Sequence, residues 1–301
     1  MDSNAIIFKT VLLIFMSVIG WVAGKKIDID PKGVSSILIY IIKTAVIFIG
    51  VVMAPSVSII YLYYAFGAFL LCSMLAGLAY LASKLLWNDS KVNLFSFTGG
   101  TGNTGYFALP IILTMFTGET VAIAIFILIG VTVYEFSIGY YITARGNFDK
   151  RECIKKVVTL PIIYSAIAGL LVNASGVDIS KDLVMFLNNF KGAYSVLGMM
   201  IIGLTLARYN LRFDKKFMLS AISWRHIIVP VVCIPLILSL GLNHEIIVVA
   251  MLMLGSPMAG NTVVLANQLE VHPEIAATTV MTSTLLAAIT VPMNMHLINF
   301  L

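Results

Sequence analysis

Runs of about 17–25 almost unbroken apolar residues follow one another along this chain, and each is long enough to cross a hydrocarbon core of roughly 30 Å as a helix. Set between charged and Pro/Gly-containing breaks, about ten spans are expected, near 5–23, 35–53, 57–82, 92–116, 119–143, 157–172, 183–206, 217–240, 245–266 and 274–297. With 60% of residues hydrophobic and 11% charged, too little polar surface exists to enclose the chain as a soluble globule. The expected fold class is an all-α polytopic membrane protein. The first run follows an acidic opening and reaches Val22 without a small-residue cleavage pattern, so it is expected to stay as the first helix. Cys72, Cys153 and Cys233 are isolated and odd in number, so they imply neither a disulfide framework nor a metal motif.

Alternating the loops sorts the basic residues. One side receives Lys25, Lys26, Lys32, Lys84, Lys91, Arg145, Lys150, Arg151, Lys155, Lys156, Arg208, Arg212, Lys215 and Lys216; the other receives essentially Lys181. The positive-inside rule makes the first side cytoplasmic, with both termini outside a cytoplasmic membrane. The net charge of +5 therefore reports topology and lipid contact, and no nucleic-acid partner is implied.

The two halves also look alike. GKKIDID from Gly24 resembles GVDIS from Gly176, Lys43 in the second span has a counterpart in Lys191 in the seventh, and Gly102-Asn103-Thr104 in the fourth matches Gly260-Asn261-Thr262 in the ninth. Two copies of a five-span unit, 1–156 and 157–301, fit this pattern, and an odd span number inverts the second copy.

TGNTGYFALP (101–110) and GSPMAGNTVVLAN (255–267) are poor recipes for unbroken membrane helices. Irregular backbone survives inside hydrocarbon only where it is buried in protein or lines a cavity. Two matched breaks therefore point to a cavity, whereas either one alone reads equally well as a kink. Pro110 and Pro257 permit a second half-helix to restart after each break. The restarted halves then bring free N–H groups and positive dipole ends to mid-membrane, where they favour an anion. The Asn103 and Asn261 amides and the Thr104 and Thr262 hydroxyls are the expected side-chain donors, with Gly105, Tyr106 and Gly260 beside them. The expected substrate is a small organic anion, a carboxylate by preference.

GNTGYFALPII resembles the N-T-G-F-x-G-L-P signature of the auxin efflux carrier family, and PMAGNTVVLANQ is similar to its later P-x-x-x-N-x-x-x-L-A-x segment; Glu274 in HPEIA stands where the family often has an acid. The resemblance implies two inverted five-helix repeats of the bile-acid-symporter type, with helices four and nine broken and crossing. It implies a scaffold from spans 1, 2, 6 and 7, a transport domain from spans 3–5 and 8–10, and a homodimer through the scaffold. Asn103 and Pro110 then belong to the first crossover strand, Pro257 and Asn261 to the second. The chain lacks the long cytoplasmic loop of the plant auxin exporters, and Gln268-Leu269-Glu270 stand where a basic residue is often found. Bacterial-type members of this family look similar to dicarboxylate exporters.

Lys43, Glu135, Lys191 and Arg225 fall inside spans, and intramembrane ionisable residues are functional candidates. Lys43 and Arg225 are expected toward the cytoplasmic end, where both can snorkel. Glu135 needs either a partner such as Arg225 or a proton, so it is read both as a structural ion pair and as a coupling acid. No carboxylate is expected near either break, which counts against a sodium site built on acidic ligands. His226, His244, His272 and His296 read as interfacial, and the run Thr278, Thr279, Thr282, Ser283 and Thr284 as bonding back to its own helix. Paired catalytic carboxylates, His-x-x-x-His, Gly-rich nucleotide loops and G-x-S-x-G are missing, so neither an enzyme nor a cofactor is expected. The expectation is an efflux carrier; a sodium-coupled symporter of the same architecture and a membrane sensor of the same ligand are its rivals.

Overall fold

The structure, a computed structural model, describes residues 3–53, 59–116, 118–208 and 213–298. Arg212, the start of the third span, and the side chains of Tyr106, Pro110 and His296 lie outside what it describes. The helices in chain order are α1 Ser3–Lys26, α2 Pro31–Val52, α3 Ile59–Lys84, α4 Lys91–Gly100, α5 Leu109–Met115, α6 Glu119–Ala144, α7 Lys150–Val158, α8 Pro161–Ser175, α9 Lys181–Arg208, α10 Lys215–Ser239, α11 His244–Leu254, α12 Asn261–Leu269 and α13 Pro273–Ile298. Among the described residues seven helical stretches are long and apolar enough to cross a membrane, one of them α7 together with α8, Lys150–Ser175. The expected fourth and ninth spans are the two that come in halves, α4 with α5 and α11 with α12.

Local sequence explains the helix ends. The Asp30 carboxylate accepts from the Lys32 and Gly33 N–H groups, and Pro31 takes the first helical position. Asp149, Asp214 and Asn243 each accept from an N–H of the following turn, and α8 closes on Gly176 at φ 67°. Large apolar side chains such as Phe8, Leu81, Leu171 and Ile289 face outward, as a hydrocarbon solvent requires. Small residues let backbones meet inside: α1 packs along α9, where a Cβ on Gly203 would fall on the Ser17 carbonyl and one on Gly20 on the Met200 carbonyl.

The basic loops meet at one end of the bundle. Lys32 pairs with Glu270, Lys91 with Asp214 at 2.8 Å and Arg208 with Asp28 at 2.8 Å, and Lys216 donates to the Leu86 carbonyl at 2.6 Å.

Among the described residues single π turns occur at Leu38–Ile42, Glu135–Gly139 and Trp224–Ile228, within α2, α6 and α10, and at Thr104–Ala108, leading into α5. The Lys43 N–H reaches back to the Leu38 carbonyl, the Ala108 N–H to that of Asn103 and the Val229 N–H to that of Trp224. Such turns re-aim side chains and recur at functional sites. Here they set the positions of Lys43, Asn103, Glu135 and Arg225.

Candidate functional site

The two breaks touch. The Asn103 N–H donates to the Pro257 carbonyl at 2.7 Å, and Gly102 and Met258 form an isolated antiparallel bridge. Broken backbone at this depth is thus satisfied by the other break, the condition that a membrane interior imposes. Gly102 leaves no room for a side chain, since a Cβ there would land on the Arg225 guanidinium.

Three consecutive residues on the π turn of α10 hold the ends of the broken helices. The Trp224 indole N–H donates to the Gly99 carbonyl at 3.1 Å, at the end of α4. Arg225, fully enclosed, donates from Nη2 to the Leu254 carbonyl at 2.6 Å and from Nε to the Ser256 carbonyl at 2.8 Å, at the end of α11. His226 reaches Ser283 at 2.8 Å, and the Ser283 hydroxyl oxygen accepts from the Met258 N–H at 2.9 Å. Orphan carbonyls and the negative end of a helix dipole therefore meet a cation and neutral donors. This corrects two expectations. Arg225 neither snorkels nor hydrogen-bonds Glu135, because helix-end carbonyls occupy it. His226 is no interfacial residue, being bonded to Ser283 and, at 2.9 Å, to Thr290. The Thr run does bond back to its own helix, from Thr278, Thr279, Thr282 and Thr284, while Ser283 serves the break instead.

On the opposite side of the contact, charge appears. Glu135 is buried, and its carboxylate accepts from the Thr101 hydroxyl at 2.8 Å and from the Asn261 amide at 2.6 Å. The expectation that no carboxylate sits near either break is therefore wrong: Glu135 lies 34 positions after Thr101 and 126 before Asn261, and only folding of α6 against both breaks joins them. Asn261 in turn accepts at its carbonyl oxygen from the Tyr194 hydroxyl at 3.3 Å, and Tyr194 accepts from the Lys43 ammonium at 2.5 Å. Lys43 is 3% exposed and sits 5.7 Å from the centre of the Phe136 ring, so it does not snorkel either. Every donor in this relay points from the cation toward the carboxylate, the direction that leaves an ionised Glu135 with two donors. Asn261, expected to offer its amide to a ligand, spends it on Glu135.

Lys43, Gly102, Asn103, Thr104, Gly105 and Glu135, with Leu128, Tyr194 and Ala259–Asn261, enclose a cavity of about 10 Å³, room for one water molecule. Among the expected residues, Asn103, Thr104, Gly105, Gly260 and Asn261 line it. Pro257 contributes its carbonyl to Asn103 instead. Thr262 does not line the cavity, and its hydroxyl is buried with no hydrogen bond among the described residues.

A polytopic helical protein whose broken spans meet around a buried lysine and carboxylate has the build of a membrane transporter. Residues 150–295 match the family model described as membrane transport protein. Over 290 residues the chain is 26% identical to an uncharacterized transporter of Methanocaldococcus jannaschii, covering 93% of each. The matched family model covers the second half of the chain, and both matches agree with the resemblance to the auxin efflux carrier family read from the two breaks.

Tyr194 and Thr101 escaped the sequence reading. Tyr194 carried a usable signal, since it follows Lys191 by one helical turn on the same face. Thr101 carried none beyond membership of the first break.

Proposed function

We propose that this chain is a secondary carrier of small organic anions, carboxylates in particular, working by alternating access around its two broken spans. The observation that carries the reading is the relay from Lys43 through Tyr194 and Asn261 to Glu135 and Thr101, beside a water-sized cavity where the breaks meet. Burying a lysine and a carboxylate in a membrane interior is expensive, and such groups are retained where they meet a substrate or a proton. The helical turns restarting near Thr104 and Asn261 open on the same cavity and add N–H donors to the Lys43 charge. A sodium ion in this cavity would face the Lys43 ammonium, which favours proton coupling through Glu135 over the sodium-coupled alternative.

The relay also supplies a mechanism. In the division that the family resemblance implies, Lys43 and Tyr194 ride on the scaffold, and Asn261, Glu135 and Thr101 on the transport domain. The Tyr194–Asn261 hydrogen bond, at 3.3 Å the longest in the relay, is then the seam between the bodies. An anion that pairs with Lys43 competes with the seam and frees the transport domain to move; protonation of Glu135 loosens its other end. The matched breaks support inverted halves, 1–156 and 157–301, and the basic end of the bundle supports a cytoplasmic face there, with both termini outside.

Counterflow of labelled carboxylates into proteoliposomes, with and without sodium and at two pH values, tests the reading. Transport that survives sodium removal and depends on pH is expected; binding without counterflow would make the protein a sensor. Unchanged affinity and flux in both Asn103→Ala and Asn261→Ala would show that the site is misplaced.

A further inference from the structure

Next to the small cavity lies a larger one of about 280 Å³, and the two share Lys43, Gly105, Leu128 and Tyr194. The remaining wall is mostly apolar, with Val46, Ile47, Ile125 and Ile129 among its residues, and it carries a second cation, Lys191. The two lysines differ in what occupies them. Lys43 is committed to the Tyr194 hydroxyl. Lys191 makes no hydrogen bond or ion pair among the described residues. Lys43 enters the cavity from α2, and Lys191 from α9, one turn from Tyr194 on the same helical face.

A cavity with greasy walls and a cation at each of two places matches an elongated anion better than a compact one. An apolar spacer would lie against Val46, Ile47 and Ile129 while acidic groups reach the two ammonium ions, that of the buried Lys43 and that of the more exposed Lys191. We propose that Lys191 and Lys43 bracket the two ends of such an anion, which makes Lys191 a specificity-determining residue for substrates with an acidic group at either end of a short hydrocarbon spacer. This rests on the carrier reading and deepens it. The same anionic chemistry could come from a phospholipid phosphate reaching Lys191 from the bilayer, so lipid composition belongs in the test.

The experiment measures uptake of labelled succinate and labelled butyrate in phosphatidylcholine proteoliposomes, for wild type, Lys191→Gln and Lys191→Arg. Expected is a KM for succinate raised about tenfold or more in Lys191→Gln, with butyrate changed less than about threefold and Lys191→Arg close to wild type. Equal changes for both anions, or none for either, would overturn the proposal. So would a wild-type KM for succinate that rises when phosphatidylglycerol is added and a Lys191→Gln KM that does not, since Lys191 would then serve a lipid headgroup. Titration of the purified wild type and Lys191→Gln with both anions separates the two levels. Discrimination in binding without uptake refutes the carrier reading and keeps Lys191 in its role; uptake that ignores Lys191 does the reverse.

Discussion

Replacing Lys43 by Met keeps the length of the side chain and removes its charge, which isolates the one property that the proposed mechanism needs. Lys43 is buried, donates to Tyr194 and lines the cavity at the contact of the breaks. A carboxylate at roughly 4 Å from this ammonium gains about 4 kcal/mol at an effective dielectric constant of about 20. Desolvation of the incoming anion returns part of this, leaving about 2–3 kcal/mol, or roughly 30–150-fold in affinity. Lys43→Met is therefore expected to raise KM for a carboxylate by that factor in proteoliposomes. A rival account gives Lys43 only the task of balancing Glu135. Three hydrogen bonds in series place those charges at most about 10 Å apart, where their attraction is at least about 2 kcal/mol. The double variant Lys43→Met/Glu135→Gln separates the two, since it removes both charges and any imbalance with them. If Lys43 holds substrate, the double variant stays as weak as Lys43→Met. Recovery to within about threefold of wild type, or a Lys43→Met protein that binds normally from the start, would refute the reasoning.

Glu135→Gln keeps one acceptor, for the Asn261 amide, and turns its NH2 toward the Thr101 hydroxyl oxygen; it cannot ionise, so it should fold and lose the pH dependence of transport, and a retained pH profile in flux assays would make Glu135 structural. Arg225→Ala strands the buried Leu254 and Ser256 carbonyls, a loss of about 3–5 kcal/mol that should appear as a large drop in melting temperature in detergent, with Arg225→Lys intermediate. Gly102→Ala pushes a methyl group onto the Arg225 guanidinium, and a cost of about 1–3 kcal/mol is expected in the same assay. Tyr194→Phe cuts the relay between Lys43 and Asn261 and leaves the ring in place; initial-rate measurements should show altered turnover, and an unchanged rate would remove the seam from the mechanism.

What the sequence made legible followed from local rules, and what it hid followed from long-range ones. Apolar run length depends only on neighbouring residues, so the all-helical membrane class and the interrupted fourth and ninth spans were readable, as were the Thr hydroxyls that bond one turn back. The two breaks were findable for the same reason: glycines, an Asn and a Pro inside a greasy run are conspicuous wherever they later meet. The relay is different. Its links join positions 151, 67, 126 and 34 residues apart, and no periodicity connects them. An intramembrane Glu135 demanded a partner, and the nearest plausible cation by charge alone was Arg225. The fold chose otherwise because α11 ends in carbonyls that need a cation, and Arg225 is the residue the α10 π turn presents to them. Once Arg225 is spent on backbone, Glu135 must find neutral donors at the breaks, and Lys43 becomes the cation nearest the site by hydrogen-bond connection. The anion affinity inferred from dipoles and amides alone therefore rests on weaker terms than the molecule has. A full buried charge, held one tyrosine away from the breaks, is the stronger attraction for a carboxylate and the one that a mutation can remove cleanly.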